Sequence, residues 1–196
     1  HGITPSVYRK DGGSLKVYPP ASFHIIIKGA KKMDFRIIEL EETEIFGISK
    51  PYDGEGYKDR EELRHIMWAD RLDNIPEQLC EGKFDQPENT ALDGVWYGVW
   101  QDGRYMIARK RDDVKTTQLE RKIIPAGTYA AFTSERGGLA GVEIPKLFEL
   151  IFDSWLPASE YKLRDDIIVE VLHLWTRREL RQQNRYYEVW IPVVKK

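Results

Sequence analysis

The chain has 196 residues, and its 30 Lys and Arg against 32 Asp and Glu give a formal net charge of −2. This near balance argues against a basic nucleic-acid platform, and 41% hydrophobic residues exclude a disordered chain. No apolar run approaches the roughly 20 residues of a membrane span, and no signal peptide is visible, so we expect a cytoplasmic protein. The single Cys80 cannot form an intramolecular disulfide or a Cys-based zinc site.

The first twenty residues are predicted to stand apart from the rest of the chain. Thr4 and Pro5 can begin only a stub of helix. Gly12-Gly13 and Pro19-Pro20 then break the chain, which places a domain boundary near residue 20 and the compact unit at 21–196.

The first half of the compact unit is predicted to hold strands around one helix. The helix begins near Asp59 as its cap, carries Leu63, Ile66 and Met67 on its apolar face and ends before Pro76. Asp102-Gly103 is typical of a tight hairpin turn. Strands are predicted at 24–29, as two stretches within 34–49, and at 95–100 and 104–109.

The second half repeats this order. Apolar residues recur with helical spacing from Ile144 to Trp155, with Pro145 near the start and Pro157 as the stop. Strands are predicted at 119–124, 128–133, 167–175 and 186–193. The sequence therefore predicts an α+β fold in which duplicated βαββ units form a curved, mostly antiparallel sheet with two main helices.

The last strand is the first place where ligand chemistry is expected. Its alternation puts Tyr186, Glu188 and Trp190 on one face. Glu188 is either half-exposed and paired with a nearby arginine, or it is a desolvated acid between ring faces that binds an organic cation.

A second acid, Glu170, lies among the apolar residues Ile168, Leu172 and Leu174 on one side of its strand. It is either an inward acid with a partner, or evidence that this side of the strand faces solvent. Periodicity leaves both readings open.

The first hairpin places Trp96, Gly98 and Trp100 on one face. A glycine between two tryptophans leaves room for a planar ligand, although a helix packed closely over Gly98 explains the pattern equally well. Tyr129 and Trp155 are expected to be core residues or pocket wall.

Motifs of several enzyme classes are missing from the sequence. It contains no GxGxxG or Walker-type loop, no HExxH and no GxSxG, and its four histidines are widely scattered. The short runs of Lys and Arg, such as 109–111, lie beside Asp and Glu residues, which is typical of a solvated surface. We therefore expect neither an enzyme nor a metal or cofactor site.

Several stretches resemble a known family. Residues 2–10 resemble the end of the helix-turn-helix signature of AraC-type transcription regulators. Residues 23–35, 124–129, 155–166 and 187–193 resemble the GyrI-like effector-binding domain of one AraC subgroup. That domain is related to the drug-sensing domain of BmrR and to the C-terminal domain of Rob.

The resemblance implies that residues 1–20 are the remnant of a DNA-binding domain plus linker, and that 21–196 are the effector-binding domain. DNA contact would then run only through the missing helix-turn-helix, with no membrane partner and with homodimerisation left open. The ligand pocket would lie between the repeats, and Glu188 would receive cationic ligands, with Glu170 as a less secure match.

These observations support three hypotheses. The first is a sensor in which a planar, aromatic or cationic molecule stacks on Trp96, Trp100 and Trp190 and is charge-matched by Glu188. The second is a hydrolase with Glu188 as general base and Tyr129 as proton donor. The third is an interaction module that masks a protein partner, which predicts a large exposed apolar patch in place of a cavity.

Overall fold

The computed structural model describes residues 22–25, 33–52, 57–69, 79, 94–110, 119–174 and 182–196. The predicted N-terminal stub, its linker and Cys80 lie outside the described residues. Within the described parts, no helix is long and apolar enough to span a bilayer.

The core of the fold is one curled antiparallel sheet that forms a half-barrel. The strands are β1 Ser22–Ile25, β2 Met33–Leu40, β3 Thr43–Pro51, β4 Gly94–Gln101, β5 Arg104–Lys110, β6 Glu120–Ile124, β7 Gly127–Thr133, β8 Tyr161–Leu163, β9 Ile168–Leu174 and β10 Tyr186–Lys195. Eight of them lie side by side in the order β2-β7-β10-β9-β4-β5-β3-β6, with β1 beside β2 and β8 beside β10.

The sheet is symmetric about the pairing of β4 with β9. On one side β4, β5 and β3 belong to the first repeat, and on the other side β9, β10 and β7 belong to the second. The predicted α+β fold with duplicated βαββ units is confirmed. Because the two repeats meet at β4 and β9, residues on these strands lie at the centre of the molecule.

The helices deviate from prediction in several details. Helix α1 spans Tyr57–Ala69, so Asp59 lies inside it and is not its cap. Helix α2, Ala140–Glu149, continues through a π-helical turn at Leu150–Trp155 into α3, Leu156–Ala158. Pro157 therefore lies inside α3, at the end of this continuous helical run, and does not stop the helix before it as predicted. Strand β8 was not predicted from the sequence.

The hairpin between β4 and β5 follows the prediction. Asp102 and Gly103 have φ values of 53° and 66°, the positive values that a two-residue hairpin turn of this kind requires. The turn sets the register, in which Trp100 pairs with Tyr105 and Gly98 with Ile107.

The two faces of the sheet carry separate apolar clusters. The helix-covered face holds Trp96, Trp100, Leu172, Tyr187 and the buried side of α2. The opposite face holds a second cluster that includes Tyr97, Val99, Val169 and Tyr129. Side chains alternate between faces along each strand, so neighbouring residues belong to different clusters.

Candidate ligand-binding site

Glu170 lies at the centre of the sheet, on the helix-covered face. It pairs with Gly98 across β4 and β9, and it is 0% exposed. A Cβ on Gly98 would lie 2.3 Å from the Tyr105 hydroxyl and 2.8 Å from Glu170 Oε2. The space that Gly98 leaves is therefore filled by a phenol and a carboxylate, rather than by a helix or an open pocket.

Three side chains, one from each of three elements of the fold, surround this carboxylate. Arg64 Nε of α1 donates to Oε1 and Oε2 over 2.9 and 3.0 Å, and Arg64 Nη2 lies 2.8 Å from Oε1. Trp100 Nε1 donates to Oε1 over 2.8 Å, and the Tyr105 hydroxyl donates to Oε2 over 2.9 Å. Of the two readings of Glu170, the structure favours the inward acid with a partner, because a buried carboxylate requires this compensation.

Tyr105 holds its proton in this setting. Burial raises the pKa of the Tyr105 phenol well above its usual value, and the negative charge of Glu170 raises it further. Trp68 Nε1 donates to the phenol oxygen over 3.0 Å. At neutral pH Tyr105 is therefore a hydrogen-bond donor to Glu170 and not a base.

Helix α1 contributes two of these contacts from one face. Arg64 and Trp68 are four residues apart, so their side chains point to the same side of the helix. Arg64 is only 4% exposed and lies over the Phe148 ring at 5.7 Å, whereas Ile66, which the sequence placed on the buried face, is 41% exposed. The charged residue is buried and the apolar one faces solvent because Glu170 compensates Arg64.

A cleft of about 500 Å³ lies above this cluster, between α1 and the start of α2. Its walls and floor combine charged, aromatic and aliphatic side chains: Glu61, Glu62, Arg64, His65 and Trp68 from α1, Ala140 and Gly141 from α2, and Leu172, Leu174 and Tyr187 from the sheet. This volume lies within the range of small-molecule sites, and the mixture of apolar floor and few polar groups is typical of them.

Glu188 lies on the opposite face of the sheet, away from the cleft. Val189 pairs with Glu170 across β10 and β9, and paired residues share a face, so the adjacent Glu188 points to the other side. Arg36 Nη2 donates to Glu188 Oε1 over 2.6 Å, and Trp190 Nε1 donates to Oε2 over 3.0 Å. Glu188 is therefore paired with an arginine, as the first reading expected, but it is 3% exposed and so is buried, not half-exposed.

The remaining groups around Glu188 are polar or aromatic. His173 Nε2 lies 3.4 Å from Glu188 Oε2, and Tyr186 stacks on His173 with ring centroids 4.1 Å apart. Burial alone raises the pKa of the Glu188 carboxyl, but the hydrogen bond from His173 and the charge of Arg36 outweigh it, so this pKa is lowered.

We expect Glu188→Gln to lower the free energy of unfolding by about 1–2 kcal/mol at neutral pH, because it removes hydrogen bonds to a charged group whose arginine partner is partly exposed. A lowered pKa in the folded state stabilises the protein above the unfolded-state value of about 4.3. That stability is lost as the pH falls through the folded-state value. Urea titrations at several pH values check this: the difference between wild type and variant should shrink below about pH 4. A difference that grows on acidification would contradict it.

The other predicted site residues divide between the two faces. Trp96 is buried, with the Arg109 guanidinium 4.9 Å from its ring. Trp155 is 4% exposed and packs against Phe35, Phe132 and Tyr161, so it is a core residue. Trp190 borders the cluster of the opposite face. A single ligand therefore cannot stack on Trp96, Trp100 and Trp190 together.

Tyr129 and Glu188 are not brought together. Tyr129 pairs with Pro192, while Glu188 pairs with Thr133, four residues along the same strands. At about 3.3 Å per residue this separates them by about 13 Å. The Tyr129 hydroxyl donates to the Pro125 carbonyl over 2.9 Å and accepts from Arg164 Nη2 over 3.3 Å. The acid and base of the hydrolase hypothesis therefore do not form a pair.

Sequence reasoning missed Arg64 and Trp68, which line the cleft, and Tyr105, which bonds to Glu170 but does not line the cleft. Tyr105 follows from the hairpin register, since a two-residue turn pairs it with Trp100 and so places it on the same face. Arg64 gives no comparable signal, because a charge on a helix is ordinarily solvated.

The fold and the cleft define a small-molecule-binding α+β module. The sequence model of the GyrI-like small molecule binding domain matches residues 33–194, and the chain belongs to this family. A search of curated proteins finds no match.

Solved structures agree with this fold. SAV2435, solved with bound tetraphenylphosphonium, is 16% identical, with 83% of this chain and 94% of that one covered and a TM-score of 0.55. A Staphylococcus aureus MU50 protein assigned to bacterial transcription regulation is 14% identical, with 82% and 98% covered and a TM-score of 0.53. The EcmrR C-terminal domain is 11% identical, with 84% and 99% covered and a TM-score of 0.50.

Proposed function

We propose that this chain is the ligand-sensing domain of an AraC-type transcription regulator, and that it binds a planar aromatic or cationic molecule in the cleft between α1 and α2. The observation that carries the binding proposal is the buried carboxylate of Glu170, which is bonded to Arg64, a side chain that lines the cleft together with the aromatic rings of Trp68 and Tyr187. A buried acid attracts organic cations, and aromatic rings bind their delocalised charge.

The regulatory part of the proposal rests on other support. Residues 2–10 resemble the end of the AraC-type helix-turn-helix signature, and one structural relative is assigned to transcription regulation. A sensor requires a ligand that binds two conformations with different affinity. Measuring whether the ligand changes operator occupancy of the regulator that contains this chain tests this part.

Binding without turnover distinguishes the sensor from an enzyme. Glu170 is held by Arg64, and Tyr105 retains its proton, so this Glu–Tyr pair beside the cleft offers no free base. We therefore expect every ligand to be recovered unchanged, as chromatography after prolonged incubation will show. A cleft of this volume also favours a small-molecule ligand over a masked protein partner.

The binding experiment uses tetraphenylphosphonium and ethidium as cationic probes and triphenylphosphine oxide as a neutral one. Tryptophan fluorescence should respond to the cations, because Trp68 lines the cleft. Glu170→Gln should weaken binding of the cations by about 1–4 kcal/mol, the attraction of two unit charges about 4 Å apart between bulk water and a protein surface, and should affect the neutral probe much less.

Glu188→Gln is the matched control, since it removes the same charge from the opposite face of the sheet. Circular dichroism confirms that each variant is folded at the temperature of the titration. Cation affinity that falls in the Glu188 variant and stays constant in the Glu170 variant would contradict the assignment of the cleft.

A further inference from the structure

We propose that the ligand head group of the cleft is a delocalised cation with N–H donors, an amidinium or a guanidinium, which binds Glu170 by taking the place of Arg64. This inference rests on the proposed function and names the ligand class of the same site. It makes Arg64 a specificity-determining residue, an internal cation with which every ligand head group competes.

The hydrogen bonds of Glu170 define what can replace Arg64. Each carboxylate oxygen accepts one bond from a group other than Arg64: Oε1 from the Trp100 indole and Oε2 from the Tyr105 hydroxyl. A carboxylate has about four lone-pair sites, so one further site on each oxygen remains for a cation. A head group that donates to both oxygens satisfies them, whereas a quaternary cation leaves them unpaired, which is costly in a buried site.

The shape of the site agrees with this class. Arg64 Nε donates to both carboxylate oxygens, Nη2 lies 2.8 Å from Oε1, and the flat guanidinium lies over the Phe148 ring at 5.7 Å. Removal of this side chain would leave a narrow slot between the ring and the sheet, with the carboxylate at its end. Amidinium and guanidinium ions are flat and bidentate, so they fit such a slot.

Glu61 offers a place for the displaced Arg64 side chain. It lies three residues before Arg64 on α1, a spacing that allows an ion pair. Its Oε1 atom is buried in the cleft wall and accepts no hydrogen bond from the residues that the structure describes. A guanidinium that leaves Glu170 can therefore be compensated by Glu61 without leaving the helix face.

The test compares wild type with Arg64→Ala, using three probes of similar size. Benzamidinium is a flat cation with donors, phenyltrimethylammonium is a cation without them, and benzamide is neutral. We expect Arg64→Ala to bind benzamidinium at least about tenfold more tightly than wild type in calorimetry, since the internal competitor is gone. Benzamidinium should also raise the Tm of this variant. Neither effect is expected for phenyltrimethylammonium or benzamide.

Further variants keep the test decisive. If Arg64→Ala does not fold, Arg64→Lys retains the charge but loses the planar fork, and benzamidinium should again bind more tightly than in wild type. Adding Glu170→Gln to either variant should abolish the gain. Glu61→Gln should lower the affinity for benzamidinium in the wild-type background but not in the Arg64→Ala background. Glu149 is an exposed acid on α2 outside the cleft, so Glu149→Gln should leave the affinity unchanged in both backgrounds.

Two results would overturn the inference: an unchanged benzamidinium affinity in the Arg64 variants, or an equal gain for phenyltrimethylammonium. Its failure differs from failure of the proposed function. If wild type binds tetraphenylphosphonium in the cleft while the Arg64 variants gain nothing for benzamidinium, only the inference fails. If wild type binds no aromatic cation while benzamidinium still stabilises Arg64→Ala, the proposed function fails and the slot at Glu170 stands.

Discussion

Replacing Glu170 by glutamine should lower the free energy of unfolding by about 3–5 kcal/mol, because removal of one partner of a buried ion pair leaves the other charge uncompensated. The remaining charge would be that of Arg64, whose side chain is 5% exposed. Glutamine has one acceptor oxygen, so it can accept from Trp100 or from Tyr105 but not from both. The loss therefore reports on the charge together with one hydrogen bond. Urea denaturation monitored by fluorescence measures the effect.

A double-mutant cycle separates the pair from its surroundings. Arg64→Met alone should also be strongly destabilising, since it leaves Glu170 charged and buried. The double variant Arg64→Met with Glu170→Gln should lose far less than the sum of the two single losses, because it removes both charges together. Additive losses would show that the two side chains do not stabilise each other.

Replacing Trp155 by alanine should cost about 3–5 kcal/mol, the usual range for deleting a large aromatic side chain from a core. Trp155 stacks on Tyr161 at 5.9 Å and contacts Phe35 and Phe132 edge-on at 5.3 and 5.0 Å. It does not line the cleft. The variant should therefore lose stability in urea denaturation while the folded fraction keeps its affinity for aromatic cations.

Trp155→Phe is the matched control, because it retains an aromatic ring and should recover a large part of the loss. A Trp155→Ala variant that is as stable as wild type but cannot bind cations would place this residue in the ligand site and would contradict its assignment to the core.

The fold could be predicted from the sequence where local signals decide it. The Asp102-Gly103 turn determines its hairpin, because the positive φ values that it needs are tolerated by few residue pairs. The helical spacing from Ile144 to Trp155 describes a face that is buried almost throughout. Strand β8 has only three residues, too few for an alternating pattern to emerge.

The site was harder to predict because it depends on register and on helix docking. Within β9 and within β10, the alternation of side chains between the two faces is clear from the sequence. Which of the two acids lies on the same face as Trp100 depends on how the strands pair, and in the structure Val189 pairs with Glu170. The connection between these strands is long, so the sequence alone leaves that register open. For this reason the sequence suggested Glu188 as the ligand acid. Glu188 lines a separate cleft of about 660 Å³ with Arg36 and Tyr186, whereas our proposal places the ligand at Glu170.

Arg64 illustrates the second difficulty. Its burial results from the position in which α1 docks on the sheet, and a carboxylate 106 residues away in the sequence compensates it. Helical periodicity instead favoured Ile66 as a buried residue, although it is exposed. Long-range charge compensation of this kind has no local pattern that a sequence reading can detect.

A crystal structure of the chain with bound tetraphenylphosphonium or ethidium tests the central claim most directly. We expect the ligand between α1 and α2, in contact with Trp68 and Tyr187 and above Glu170. A ligand bound on the opposite face of the sheet, beside Glu188 and Tyr186, would contradict the account.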